Sequence, residues 1–168
     1  MKQYLVALMV VGLAGAAQAN EKVTLSGVHN CCGGCAAGIT KAVGSVAGVT
    51  STLDGDKVSL EAANTDGLQK AVAALLTAGY TGVSDNAAVK VAPATGPDEK
   101  VTSLTVTGAH MCCGKCVKAA KEAVKSVAGV KSDTIAPHAE SFKVEGEFNA
   151  KDLMNALAKA GFTGQVTK

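Results

Sequence analysis

Two stretches of this 168-residue chain carry nearly the same text, and that duplication limits what it can fold into more than any other feature. Gly27-Val28-His29-Asn30-Cys31-Cys32-Gly33-Gly34-Cys35 returns as Gly108-Ala109-His110-Met111-Cys112-Cys113-Gly114-Lys115-Cys116. From Cys31 to Cys112 the offset is 81 positions. Ser45-Val46-Ala47-Gly48-Val49 returns as Ser126-Val127-Ala128-Gly129-Val130 at the same spacing. Ala78-Gly79-Tyr80-Thr81-Gly82 returns as Ala160-Gly161-Phe162-Thr163-Gly164, one position later. The chain is a tandem repeat.

What lies outside the repeats has its own logic. Lys2 precedes an uncharged apolar run from Leu5 to Ala17, and Ala17-Gln18-Ala19 is a small-x-small cleavage site. The run is too short for the ~20 residues that span a bilayer. A signal peptide over 1–19 is the expectation, with a periplasmic or secreted mature chain that has no membrane span. The first domain is then 20–85 and the second 100–168. Between them 86–99 holds Pro93, Gly96 and Pro97 among alanines and reads as a linker.

Within each unit the hydrophobic period alternates between two and about three and a half. Val23 and Leu25 alternate with polar residues, as in a half-buried strand. Ile39, Val43 and Val46 recur at helical spacing, with Gly48 placed to stop the helix. Thr50 to Leu53 and Lys57 to Glu61 form a hairpin around Asp54-Gly55-Asp56. Leu68, Val72, Leu75 and Leu76 mark a second helix, and Tyr80 to Ser84 a last strand. Leu104 and Val106, then Val117, Val124 and Val127, then Phe142 and Val144, then Leu153, Met154 and Leu157 repeat the order. The predicted class is α+β: two tandem ferredoxin-like βαββαβ sandwiches.

That order puts all six cysteines in the loops that leave the first strands and enter the first helices. Helix N-terminal N–H groups favour thiolate there. Two or three thiolates select soft ions such as Cu(I) or Zn(II). With His29 or His110 added, a His-x-Cys-Cys-x-x-Cys loop offers the Cys3His set that suits tetrahedral zinc. Cys31 and Cys32 are neighbours, however, so their side chains tend to diverge, and the loop would have to bend to bring four ligands together. The candidate metal ligands are Cys31, Cys32, Cys35, Cys112, Cys113, Cys116, His29 and His110. The two sites could stand apart or meet across the linker to share an ion.

Composition removes other classes. All 16 basic residues are lysine, aromatics make up 3% of the chain and the net charge is only +2, which is poor equipment for nucleic acid. No nucleophile–base pair, phosphate loop or carboxylate constellation appears, so the chain is not expected to be an enzyme. The rival reading is a periplasmic thiol–disulfide oxidoreductase, since Cys-x-x-Cys at a helix start is also the redox arrangement. Against it, the first unit is short and holds no proline to face the cysteines. Lys115, Lys118, Lys121 and Lys125 form a stripe on the second unit's first helix, either a solvated face or a surface that acidifies thiols and steers an acidic partner.

The mature chain resembles a pair of heavy-metal-associated domains, the family of bacterial copper chaperones and periplasmic mercury-binding proteins. Cys32-Gly33-Gly34-Cys35 and Cys113-Gly114-Lys115-Cys116 stand in the family's Cys-x-x-Cys places, Tyr80 and Phe162 in its aromatic turn position. The family methionine falls on Asn30 and on Met111, and the variable position before the motif is itself cysteine in both units. The resemblance implies capture of a soft metal ion, with Cu(I) slightly favoured over Zn(II). It also implies transfer or sequestration, with a metal transporter or acceptor protein as partner.

Overall fold

The computed structural model describes residues 20–167, so the leader expected at 1–19 lies outside the described residues. The first unit runs β1 (Glu21–Ser26), α1 (Gly33–Gly44), β2 (Val49–Asp54), β3 (Lys57–Ala62), α2 (Thr65–Thr77) and β4 (Val83–Ser84). The second runs β5 (Lys100–Thr107), α3 (Gly114–Lys125), β6 (Val130–Asp133), β7 (Ser141–Asn149), α4 (Ala150–Lys159) and β8 (Gln165–Thr167). The two sheets are antiparallel, with strand orders β2-β3-β1-β4 and β6-β7-β5-β8. This is the expected pair of βαββαβ sandwiches, and no described helix is long and apolar enough to cross a membrane.

Strand alternation sets which face each sheet buries. In β7 the pattern is strict: Phe142, Val144 and Phe148 are buried while Lys143, Glu145 and Glu147 face water. Val23 and Leu25 of β1 lie opposite Leu60 and Val58 of β3 and meet Ile39 and Val43 of α1 and Leu68, Val72 and Leu75 of α2 in the core. Asn64 caps α2 by accepting from Gly67 N at 2.9 Å, and Asn149 caps α4 through Lys151 N and Asp152 N.

Two boundaries differ from the sequence expectation. α1 stops at Gly44, before Val46, where the ladder tightens to i→i−3 bonds from Ser45 N to the Ala42 carbonyl and from Val46 N to the Val43 carbonyl, and the Ser45 hydroxyl also donates to the Ala42 carbonyl at 2.6 Å. Ser126 repeats this on Ala123 at 2.7 Å. The last strand begins at Val83 rather than Tyr80, because Tyr80 instead forms an isolated bridge with Phe162 of the second unit.

The repeat is not exact at the turn after the first helix. Gly48 and Gly129 both have positive φ, 74° and 89°. A Cβ on Gly48 would meet nothing within 4 Å, whereas one on Gly129 would lie 1.9 Å from the Glu147 carbonyl oxygen. There β6 and β7 shift register between Val130 and Ser132, and Gly146 fits against Gly129. Gly48→Ala should therefore cost about 1–2 kcal/mol, the left-handed backbone penalty alone. Gly129→Ala must also displace β7, and should cost about 3 kcal/mol or more. Chemical denaturation of the two variants side by side checks the difference.

Segment 86–99 joins the units without hanging free. Val89 is buried in the common core, and Gln69 of α2 binds both backbone groups of Lys90 at 2.8 and 2.9 Å. Ala94 N donates to Thr163 Oγ1 at 3.0 Å, and a Cβ on Gly96 would lie 2.4 Å from the Ala150 carbonyl oxygen. The chain between the units is thus packed on both, and a single apolar core runs through them.

Candidate metal centre

Each cysteine loop is shaped by backbone chemistry that the sequence supplies twice. Gly27 and Gly108, with φ of 73° and 76°, turn the chain out of β1 and β5. Cys32 and Cys113 then occupy the N-caps of α1 and α3 with extended backbones, and Cys35 and Cys116 fall in the first helical turn. The loops are pinned differently. Asn30 Nδ2 donates to the Gly55 carbonyl at 2.8 Å, tying the first loop to its hairpin tip. Met111 is buried, and its carbonyl accepts from His138 N at 2.6 Å, so the second loop is held by the β6–β7 connection. His138, with φ of 60°, is a turn residue.

The two loops meet. Cys35 Sγ lies 3.6 Å from Cys116 Sγ and 3.4 Å from Cys112 Sγ, and Cys112 is 3.4 Å from Cys116. Cys32 is 3.5 Å from Cys112 and 3.7 Å from Cys113. Cys31 is 3.7 Å from Cys116 and 3.9 Å from Cys113. Within each Cys-x-x-Cys the separation is 3.8 Å. All six are free thiols, and Cys35 and Cys116 are fully buried. The expected divergence of neighbouring cysteines is not seen: Cys31 and Cys32 both approach Cys113, with all three sulfurs within 4.8 Å of one another, and the second loop gathers its own Cys112, Cys113 and Cys116 just as closely.

These separations fit metal coordination. Four sulfurs about 2.3 Å from a common tetrahedral ion are about 3.8 Å apart. The six sulfurs also form four groups whose donor atoms lie within 4.8 Å of one another, and His29 joins the group of Cys31, Cys35 and Cys116. His110 enters none of these groups among the described residues.

Both histidines are held by the opposite unit. The His29 ring stacks on Phe162 with centroids 4.2 Å apart, and His110 on Tyr80 at 4.5 Å, both tilted by 32°. The intervening backbones exchange hydrogen bonds: Thr81 N to the Gly161 carbonyl and Thr163 N to the Gly79 carbonyl, each 3.1 Å. The units are thus related as by a local two-fold axis, which sequence reading had no means of finding. Burial holds both imidazoles below the usual histidine pKa, with the charge of His110 adding to the effect at His29. Nε2 of each ring is buried without a hydrogen-bond partner. Tyr80 adds a hydroxyl that Phe162 lacks, donating to the Cys35 carbonyl at 3.2 Å. Tyr80→Phe should cost about 1 kcal/mol in stability and leave metal stoichiometry unchanged, as denaturation and metal analysis would show.

The six thiols are not equally acidic. Cys32 and Cys113 sit where helix N–H groups point, those of Cys35 and Cys116 foremost, and these hold both thiols below the ordinary value although neither closes a well-aligned cap hydrogen bond. Burial pushes Cys31, Cys112 and Cys116 up, with thiol neighbours contributing. Lys121 of the lysine stripe is engaged with Asp133 at 2.6 Å, while Lys115, Lys118 and Lys125 are exposed.

Residues 105–163 match the model of the heavy-metal-associated domain. No curated protein matches the chain. Among solved structures the chain is similar to the N-terminal soluble domains of Bacillus subtilis CopA, at 20% identity over 89% of this chain and 95% of that one, with a TM-score of 0.30. It is also similar to the first two RRM domains of the yeast poly(U)-binding protein Pub1, at 13% identity over 88% and 98%, with a TM-score of 0.26. The domain match concerns the second unit, and with the sulfur cluster it indicates a soft metal ion rather than a redox couple. A heavy-metal-associated domain thus accounts for residues 105–163, and that domain brings Cys112, Cys113 and Cys116 to the cluster.

Proposed function

We propose that this chain is an exported soft-metal trap that binds Cu(I) in preference to Zn(II), without catalytic turnover. The observation that carries the proposal is the interleaving of six sulfurs from two loops at 3.4–3.9 Å. A site built for hand-over presents its thiolates to an incoming partner. Here the second unit's cysteine loop and aromatic turn already cover the first unit's loop, and Cys35 and Cys116 are buried. Sequestration is therefore the better reading than delivery, and release would need the units to part. Three of the four donor groups are triangles of thiolates, which favour Cu(I), an ion that accepts three ligands, over Zn(II), which prefers four; His29 makes up four donors in the remaining group. The apolar segment before Ala19 supports export.

Anaerobic titration of the reduced chain against a competing Cu(I) chelator, followed by X-ray absorption, tests this. Binding that outcompetes the chelator with a sulfur shell, and with zinc displaced, is the expected result. Retention of zinc in preference to copper would reverse the metal assignment. Rapid copper transfer to a second thiol protein without unfolding would favour delivery.

A further inference from the structure

Ten sulfur pairs lie 3.4–3.9 Å apart and two more within 4.8 Å, so each sulfur neighbours four others as in an octahedron, and four alternate faces of that octahedron are the donor groups. Their cysteines are Cys31-Cys35-Cys116, Cys31-Cys32-Cys113, Cys32-Cys35-Cys112 and Cys112-Cys113-Cys116. Every cysteine belongs to two groups, and any two groups share one cysteine. That is the connectivity of a tetrahedron with an ion at each of four corners and a bridging sulfur on each of six edges. We infer that the chain assembles a tetranuclear Cu(I) cluster in which all six thiolates bridge, an inference that rests on the soft-metal reading above and gives it a stoichiometry.

The dimensions agree. Cys31, Cys35 and Cys116 are separated by 3.8, 3.6 and 3.7 Å. An ion at the centre of such a triangle lies about 2.1 Å from each sulfur, close to the ~2.3 Å of a metal–thiolate bond. Cys32, Cys35 and Cys112, at 3.8, 3.4 and 3.5 Å, enclose a similar triangle. In the other two groups one edge joins sequence neighbours, Cys31 with Cys32 and Cys112 with Cys113, and is longer, within the 4.8 Å limit.

The extra cysteine before each Cys-x-x-Cys now has a purpose. Without Cys31 and Cys112, four sulfurs remain, and none of the four triangles keeps all three of its corners. Loading is balanced without any redox step: six S–H bonds break, twelve Cu–S bonds form, and six protons leave. Four monovalent ions on six thiolates give a core of charge −2. Sulfurs pushed toward one another in a water-poor site repel as thiolates, so partly filled forms are disfavoured and the cluster should fill cooperatively.

Native mass spectrometry of the reduced chain during anaerobic Cu(I) titration tests the stoichiometry. The metal-free form should give way to a four-copper form with one- to three-copper species minor, and X-ray absorption should show sulfur neighbours plus a short copper–copper vector. Cys32→Ser removes a bridge from two corners without opening the core, since Cys32 is only half-buried. Its end-point should fall below four coppers with circular dichroism unchanged, and Cys113→Ser should do the same. An end-point of two coppers with no copper–copper vector overturns the cluster while leaving the soft-metal trap standing. Four coppers retained by both folded variants also overturns it. Failure of the parent chain to hold copper against the chelator overturns both readings.

Discussion

Gly161→Ala is expected to pull the two cysteine loops apart while leaving both sandwiches folded. Gly161 has φ of 82°, and a Cβ there would lie 2.3 Å from His29 N and 2.6 Å from the Gly27 carbonyl oxygen. Both obstacles are backbone of the other unit, which no rotamer change can move aside. The chain can relieve the contact only by shifting the aromatic turn off the first loop, and the Phe162–His29 stack and the paired Thr81 and Thr163 hydrogen bonds go with it. Sulfur separations of 3.4–3.9 Å across the units do not survive such a shift. Copper bound per chain at equal free copper should fall by half or more, and small-angle scattering should show a longer particle. Gly48→Ala is the control, because it carries the same left-handed strain with nothing within 4 Å and should load normally. Normal loading by Gly161→Ala would mean that the aromatic turns do not hold the cluster together.

The second large effect belongs to Cys35 and Cys116. They are the fully buried pair of the six, 3.6 Å apart, and between them they touch three of the four donor groups. Replacing both with serine keeps the volume nearly constant but puts two hydroxyls where soft donors stood, leaving only Cys31-Cys32-Cys113 complete. Cu(I) affinity should drop on the order of a hundredfold or more. Competition against a chelator of known affinity measures it. The same double change on the half-buried side, Cys32 and Cys113 to serine, should cost less stability in the metal-free chain, because both thiols pack at the edge of the core rather than within it. A double variant at Cys35 and Cys116 with undiminished copper affinity would move the ligand set to the loop rims.

Much of this architecture is legible without coordinates. Alternation in β1, β3 and β7 and helical spacing in α1 to α4 are local periodicities, and each follows from how a side chain leaves a strand or a helix. The place of the cysteines in the loops that enter α1 and α3 is also local, since the strand period ends before them and the helical period begins after them. Expectation went astray where a distant partner intervened. Tyr80 was counted in a strand, yet it pairs with Phe162, a residue 82 positions away. Segment 86–99 joins the two units without helix or strand, as its composition suggests, and Val89 and Gly96 each fit a neighbour that no linear reading brings alongside. His29 and His110 occupy matching stacks on the other unit's aromatic turn, and among the described residues His29 also joins a sulfur group.

From sequence alone came the duplication, the sandwich class and the choice of sulfur as donor, because these depend on residue type and short-range spacing. That the two cysteine loops come together as one sulfur cluster was decided by the tertiary structure. Two loops separated by 81 positions become a single cluster only because Gly79 and Gly161 let each aromatic turn close on the other unit's histidine loop. A contact of that kind is a property of two surfaces fitting, and no periodicity within either repeat encodes the fit.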